Sequence, residues 1–250
     1  MTTEHGLGRR YQPDQRNRNF MMRLTLDPLR EQFFPRGLPD GSRHYWPGTL
    51  LDQLSTGTCV GHGFYSAIQG APVMQKPPLS PYDFYRRFVM EDVWSDNNHE
   101  ATAPDDQLQS GTSVLAGAKV CKDMGLLSAY LWGESAEDVR AWHLAGFGIN
   151  VLGTLWTDDM STPDSEGFAS YTGRIMGGHC YVTTGWNDRV KHNGKRVRAV
   201  RCQNSWGKGW GNGGRFWLEM DDLEKLIADQ GEACAPTEIK LAKRGVHGSN

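Results

Sequence analysis

Gln53-Leu54-Ser55-Thr56-Gly57-Thr58-Cys59-Val60-Gly61-His62-Gly63-Phe64-Tyr65-Ser66-Ala67-Ile68 is the stretch that decides the fold. Its apolar residues at 60, 64, 67 and 68 recur with the spacing of one buried helix face. Thr56 and Thr58, just ahead, are good N-cap types. A cysteine therefore falls in the first turn of a buried helix. Working outward, Ser80-Pro81 opens a second helix, with Tyr82, Tyr85, Phe88 and Val89 on one face. A third is predicted over 112–124 and ends at Gly125. A fourth covers 135–144, where Ser135 and Asp138 make a capping-box-like start. After Gly146 the period drops to two. Strands are predicted over 149–156, 180–184, 196–202 and 215–220, with a hairpin turn at His192-Asn193-Gly194-Lys195. Helices first and strands second point to an α+β fold of two lobes with a cleft between them.

Composition narrows the function. Lys and Arg total 27 against 29 Asp and Glu, a net charge of −2, so the basic excess of a nucleic-acid binder is missing. No apolar stretch approaches the roughly 18 to 20 residues that span a bilayer. The run Phe20-Met21-Met22 stops at Arg23, short of a secretory core of about 7 to 15 residues. The expectation is a cytoplasmic chain, without nucleic-acid or membrane partners. Five cysteines (Cys59, Cys121, Cys180, Cys202 and Cys234) are odd in number and lack a CxxC pair, which favours a reactive thiol over a disulfide framework or a zinc site. Residues 1–37 are polar and rich in arginine and read as an extended arm, a short pro-segment or a solvated tail. They are expected to cross or cover the cleft. The main domain then spans 38–235, with a helical lobe over about 48–145, a β lobe over about 146–235 and a tail over 236–250.

The chemistry gathers in three segments: residues 53–59, Gly177-Gly178-His179-Cys180-Tyr181-Val182, and Gln203-Asn204-Ser205-Trp206-Gly207-Lys208-Gly209-Trp210-Gly211. A helix N-terminus lowers the pKa of a thiol such as Cys59 and favours the thiolate. His179, at the start of a strand in the other lobe, is placed to face it across the cleft as a base. Asn204 can fix the imidazole's orientation, and Gln53 can donate an amide N–H to a developing oxyanion. Together these parts perform acyl transfer.

On these residues the sequence resembles the papain-like cysteine peptidases over about 38–220. The resemblance is strongest in Asn-Ser-Trp-Gly followed by Gly-Trp-Gly at 204–211, and in the six-residue separation of Gln53 and Cys59. It implies a papain-like two-lobe fold, with an N-terminal helical lobe, a C-terminal antiparallel β-barrel-like lobe and the active site in the cleft. It also implies Cys59 as nucleophile, His179 as base and acid, Asn204 as orienter and Gln53 as oxyanion donor. Trp206 would shield the His179–Asn204 contact. Ser110 and Gly111 would hold an extended substrate by main-chain bonds. Gly178 and Cys180 would lie near the pocket for the second residue on the acyl side, where a small, soft wall suggests an apolar preference without naming a side chain. Leu79-Ser80-Pro81-Tyr82 and the compact N-terminus resemble the bacterial and phage-like branch, which adds a virion or release by lysis as a setting. The substrate is then a peptide or protein, with no cofactor or metal. Thr56 stands where relatives carry a disulfide cysteine, and Cys180 where they usually carry alanine. Alternatives with the same parts are transamidation and cell-wall peptide amidase activity, or a structural, partner-binding protein retaining the scaffold. Cys59 with His62 as a zinc pair, and Cys180 as a redox partner of Cys59, are weaker readings.

Overall fold

The computed structural model describes residues 5–33, 36–71, 73–92 and 108–237. Asp105 and Asp106, whose sequence suggests no more than solvated loop carboxylates, lie outside the described residues, as does nearly all of the expected 236–250 tail. The helices are α1 (Met22–Phe33), α2 (Cys59–Gln69), α3 (Pro81–Glu91), α4 (Val114–Asp123), α5 (Ala136–Ala145) and α6 (Met220–Ala228). The strands are β1 (Ser42–His44), β2 (Ala129–Gly133), β3 (Asn150–Thr157), β4 (Ile175–His192), β5 (Lys195–Gln203), β6 (Arg215–Glu219) and β7 (Glu232–Thr237).

Local chemistry explains most helix starts. The hydroxyls of Ser80, Ser113 and Ser135 each accept the N–H three residues on, at the heads of α3, α4 and α5. Gly146, at φ +98°, closes α5 in the left-handed region. Asn193 and Gly194, at φ +49° and +75°, make the tight turn between β4 and β5.

The strands run antiparallel in the order β2-β7-β3-β4-β5-β6, with β1 on β4. The path has two free ends, so the expected barrel-like lobe is an open sheet. Its central strands serve two cores by alternation. Cys234 of β7, Val151 of β3, and Cys180 and Val182 of β4 pack beneath α2, α3 and α4 with Phe64, Phe84 and Phe88. Ala233 and Ala235, Leu152 and Tyr181 face the other core, with Trp142, Trp156, Trp186 and Phe216.

Several expectations are corrected here. The N-terminal segment holds a helix, α1, whose Met22 and Leu26 are buried in the second core. The fourth helix, α5, also joins that core through Val139, Ala141 and Trp142, so the lobe division at 145 does not separate the cores. The second expected strand is far longer than 180–184, because β4 pairs with β1, β3 and β5 along its length. Residues 236 and 237, assigned to a tail, complete β7 against β2.

One buried ion pair ties α5 to β4. Arg140 reaches both oxygens of Asp188 at 2.8 and 2.9 Å, and Asp188 also accepts from the Trp186 indole and the Gly41 N–H. Removing Arg140 leaves the buried Asp188 with only Arg198, 3.6 Å away and half-exposed, and losing one partner of a buried pair typically costs about 3–5 kcal/mol. Arg140→Ala is therefore expected to lower the denaturant midpoint strongly. A midpoint within error of the native one would show that the pair contributes little.

Candidate active site

Cys59 is the first residue of α2, and its side chain is fully buried. The backbone N–H groups of Cys180, Gly8 and Val60 donate toward its sulfur. Burial outweighs these donors and pushes the thiol up to about 11. The lowered pKa expected from the helix N-terminus is thus absent in this closed state. The reason is desolvation, since a thiolate loses more hydration than these dipoles return.

His179 lies on β4, fully buried, with its Nε2 2.8 Å from Asn204 Oδ1. The same oxygen accepts the Ser205 N–H at 2.7 Å, which fixes the amide's orientation. Nε2 must then carry the proton and donate. Nδ1 is left as the basic nitrogen, and it is a buried atom with no hydrogen-bond partner among the described residues. Burial pushes His179 down to about 4, with the Asn204 bond opposing. Trp206 stacks on the imidazole at 4.6 Å, and the Trp156 ring meets it at 4.9 Å. The Trp206 ring thus lies on the imidazole whose bond to Asn204 the resemblance has it shield.

Gln53 is set by the loop beside Asn204. Its N–H donates to the Ser205 carbonyl, and its Oε1 accepts the Ser205 hydroxyl at 2.6 Å. The amide nitrogen therefore turns outward. It donates to the Thr56 carbonyl at 2.6 Å and to the Gly6 carbonyl at 3.0 Å. The N–H expected to serve an oxyanion is engaged by the N-terminal segment itself.

That segment threads the cleft. His5 stacks on Trp206 at 4.6 Å, Gly6 N–H donates to Leu54 O, and Gly8 and Arg9 N–H both donate to Gly178 O. Thr112 accepts from Arg10 N–H and donates to Gly8 O, making a parallel bridge opposite Arg9. Only glycine fits at two points. A Cβ on Gly6 would lie 2.0 Å from Thr56 O, and one on Gly8 1.9 Å from Gly57 O.

The expected substrate contacts divide. Gly178, expected near the pocket, gives its carbonyl to the Gly8 and Arg9 N–H groups of the arm. Gly111 lies directly against the arm, where a Cβ on it would sit 2.6 Å from Gly8 O. The Gly111 N–H donates to the Tyr85 hydroxyl at 2.9 Å, and Thr112 makes the main-chain bonds instead. Cys180 does not line a pocket either. Its side chain is buried against α2, where a Cβ on Gly63 would sit 2.9 Å from its sulfur. A buried carboxylate, Glu232, holds the side chain of the arm's Arg9, whose main chain bonds Gly178. Arg9 Nε and Nη2 reach Glu232 Oε2 at 3.0 and 2.7 Å, with side-chain exposures of 1% and 6%. His62 bonds Thr58 rather than pairing with Cys59, and no group of three His, Cys, Asp or Glu fit to hold a metal occurs among the described residues.

Sequence reasoning missed Ser205, Thr112, Arg9 and Glu232. A visible signal was Gly6-Leu7-Gly8, two closely spaced glycines at the edge of a charged segment.

No protein-family model matches the sequence, and no curated protein does. Solved structures do. Xylellain, a cysteine protease from Xylella fastidiosa, aligns with a TM-score of 0.64 at 16% identity, over 95% of this chain and 98% of that one. The digestive procathepsin L 3 of Tenebrio molitor larval midgut gives 0.57 at 13% identity, over 94% and 77%. The procathepsin B S9 from Trypanosoma congolense gives 0.53 at 14% identity, over 76% and 71%. With its antiparallel sheet, its buried helix starting at Cys59 and its His179–Asn204 pair, the chain has the papain-like cysteine-protease fold.

Proposed function

We propose that the chain is a cysteine endopeptidase held closed by its own N-terminal arm. The observation that carries this reading is the occupancy of the Gln53 amide by the Gly6 carbonyl, beside a helix-start cysteine and an asparagine-oriented histidine. A peptide carbonyl on that amide is where an acyl-transfer site would hold the oxygen that becomes an oxyanion.

With the arm withdrawn, Nδ1 of His179 takes the Cys59 proton and the sulfur attacks the substrate carbonyl. Gln53 Nε2 donates to the oxygen as it gains charge. The same imidazole returns the proton to the leaving amine, giving a thioester on Cys59. Water, deprotonated by Nδ1, then releases the acid and restores the thiol. Asn204 holds the ring throughout, and Trp206 keeps water from that bond.

The arm is not cut because it runs the wrong way. Its earlier residue, His5, stacks on Trp206, while the later Arg9 lies at Gly178 on the acyl side. A substrate runs N to C from the acyl side toward the leaving-group side. The arm runs in reverse, so its carbonyls and amides are not presented for attack in register.

The test is hydrolysis of a fluorogenic peptide library under reducing conditions. Activity that appears on displacing the arm should vanish in Cys59→Ala. It should fall about 10²–10³-fold in kcat in Gln53→Ala, and by about 10² or more in Asn204→Ala through a misoriented base. Ligation of an added amine in place of hydrolysis would indicate transamidation. Persistent hydrolysis in Cys59→Ala would refute the thiol mechanism.

A further inference from the structure

We infer that Glu232 makes this cleft select a basic side chain, arginine above all, at the second residue on the acyl side of the cleaved bond. The inference rests on the peptidase reading above and names the substrate class of the same site.

Arg9 shows the shape of the recess. Its main chain bonds Gly178 O, one residue beyond Gly8, whose N–H reaches the Cys59 sulfur. A group at the position of Arg9 is therefore second from the thiol. Its side chain then runs across the face of the paired strands β4, β3 and β7, over a floor of glycines, to Glu232. A Cβ on Gly178 would lie 3.2 Å from Arg9 Cδ, and one on Gly153 would lie 3.0 Å from its Nε and 3.2 Å from its Cγ. Val114 closes the same region, its Cγ2 2.6 Å from that Gly153 Cβ. Any larger floor residue would fill the passage.

The slot ends in acceptors. Glu232 Oε2 takes two guanidinium N–H bonds, and the Gln230 carbonyl takes another from Nη2. Glu232 Oε1 is a buried atom with no partner among the described residues, so the carboxylate can still accept more. The planar fork of an arginine matches this arrangement, whereas a lysine ammonium ends in a single point charge.

Withdrawing the arm removes Arg9 and leaves a buried carboxylate without its cation. Without a cation the buried carboxyl either stays charged at a desolvation cost or takes up a proton, so a guanidinium that restores the bonded pair is favoured over an apolar group. A substrate arginine does so, and a leucine does not. Burial already pushes Glu232 up to about 7 even with Arg9 pulling it down, which marks how little solvent the slot admits. Arg9 thus serves as an internal stand-in for the side chain that the slot accepts.

The test uses the full chain carrying Gly8→Val, which expels the arm by clash with Gly57 O rather than by altering the slot. Three peptides differ only at the second residue before the cleaved bond: arginine, its neutral isostere citrulline, and leucine. The arginine peptide is expected to be hydrolysed with a kcat/KM at least about 10-fold above the other two. Glu232→Gln should erase the difference between arginine and citrulline. Equal rates for arginine and citrulline, or a preference for leucine, would overturn the inference without touching the peptidase reading. If no peptide is cleaved, that reading fails. Binding of the same three labelled peptides to Gly8→Val/Cys59→Ala, followed by fluorescence anisotropy, then decides the slot separately. Tighter binding of the arginine peptide upholds the inference, and equal or absent binding overturns it. The citrulline comparison needs no change at Glu232, so it stands even if Glu232→Gln does not fold.

Discussion

Replacing Gly8 by valine is expected to raise both peptide hydrolysis and Cys59 alkylation by about 10²-fold or more, equivalent to roughly 2.8 kcal/mol taken from the closed state. The argument is steric. A Cβ at residue 8 would overlap the Gly57 carbonyl oxygen at 1.9 Å, and that oxygen belongs to the backbone leading into α2, which cannot yield without disturbing Cys59. Gly8 sits midway between the arm's other holds on the body, with the His5–Trp206 stack and the Gly6 bonds to Leu54 and Gln53 on one side and the Arg9 ion pair and the Gln12–Ser113 bond on the other. Breaking the ladder at its centre should free the sulfur, whose high pKa reflects burial. Arg16→Ala, on an exposed side chain whose ion pair is local to Asp14, is the control and should change neither rate. Native-like alkylation of Cys59 in Gly8→Val, with the fold intact by circular dichroism, would show that the arm does not gate the thiol.

Acidification is expected to open the arm. In the closed state burial holds His179 neutral down to about 4, opposed by the Asn204 bond and reinforced by the nearby His5 and His62. In contact with water an imidazole returns toward its ordinary value of about 6.5. Between these values the open state binds more protons at His179 than the closed one, so this group drives opening as the pH falls, against whatever Glu232, pushed up to about 7 by burial, contributes on gaining solvent. The shift grows below about 6.5 and is complete near 4. A difference of about 2.5 units corresponds to roughly 3 kcal/mol, or on the order of 10² in the equilibrium constant. Protease nicking of the arm, followed across this range at constant ionic strength, should accelerate as the pH drops. His179→Gln should flatten that profile. An equally steep profile in the variant would assign the acid response to another group.

How much of this was legible in the sequence depends on range. The capping serines 80 and 135, the hairpin at Asn193-Gly194 and the buried face of α2 are decided within a few residues, and each was readable. The candidate site residues stood out by spacing, because Gln53, Cys59, His179 and Asn204 keep their order and separations. What stayed hidden is non-local or contradicts local rules. Helix α1 contains Pro28 in its interior and several charges, so it reads as a loop until Met22 and Leu26 are seen docked in the core. Strand β7 carries Pro236 and small residues without clear alternation of polarity, and only its pairing with β2 and β3 makes it a strand. Glu232 reads as an ordinary surface glutamate. Its burial follows from an arginine 223 positions away. Thr112 was passed over because a main-chain donor and acceptor leave no mark in side-chain identity.

The central place of β7 governs when the molecule can take shape during synthesis. This strand is the last of the described sheet to leave the ribosome, yet it sits between β2 and β3 and fills both cores. A nascent chain that ends before residue 232 has the thiol, the imidazole and the arm, but neither the strand that joins β2 to β3 nor the carboxylate that grips Arg9. Assembly of the cleft and engagement of the latch therefore arrive together, with the same few residues. Translation does not pass through a stage in which a finished cleft waits for its restraint.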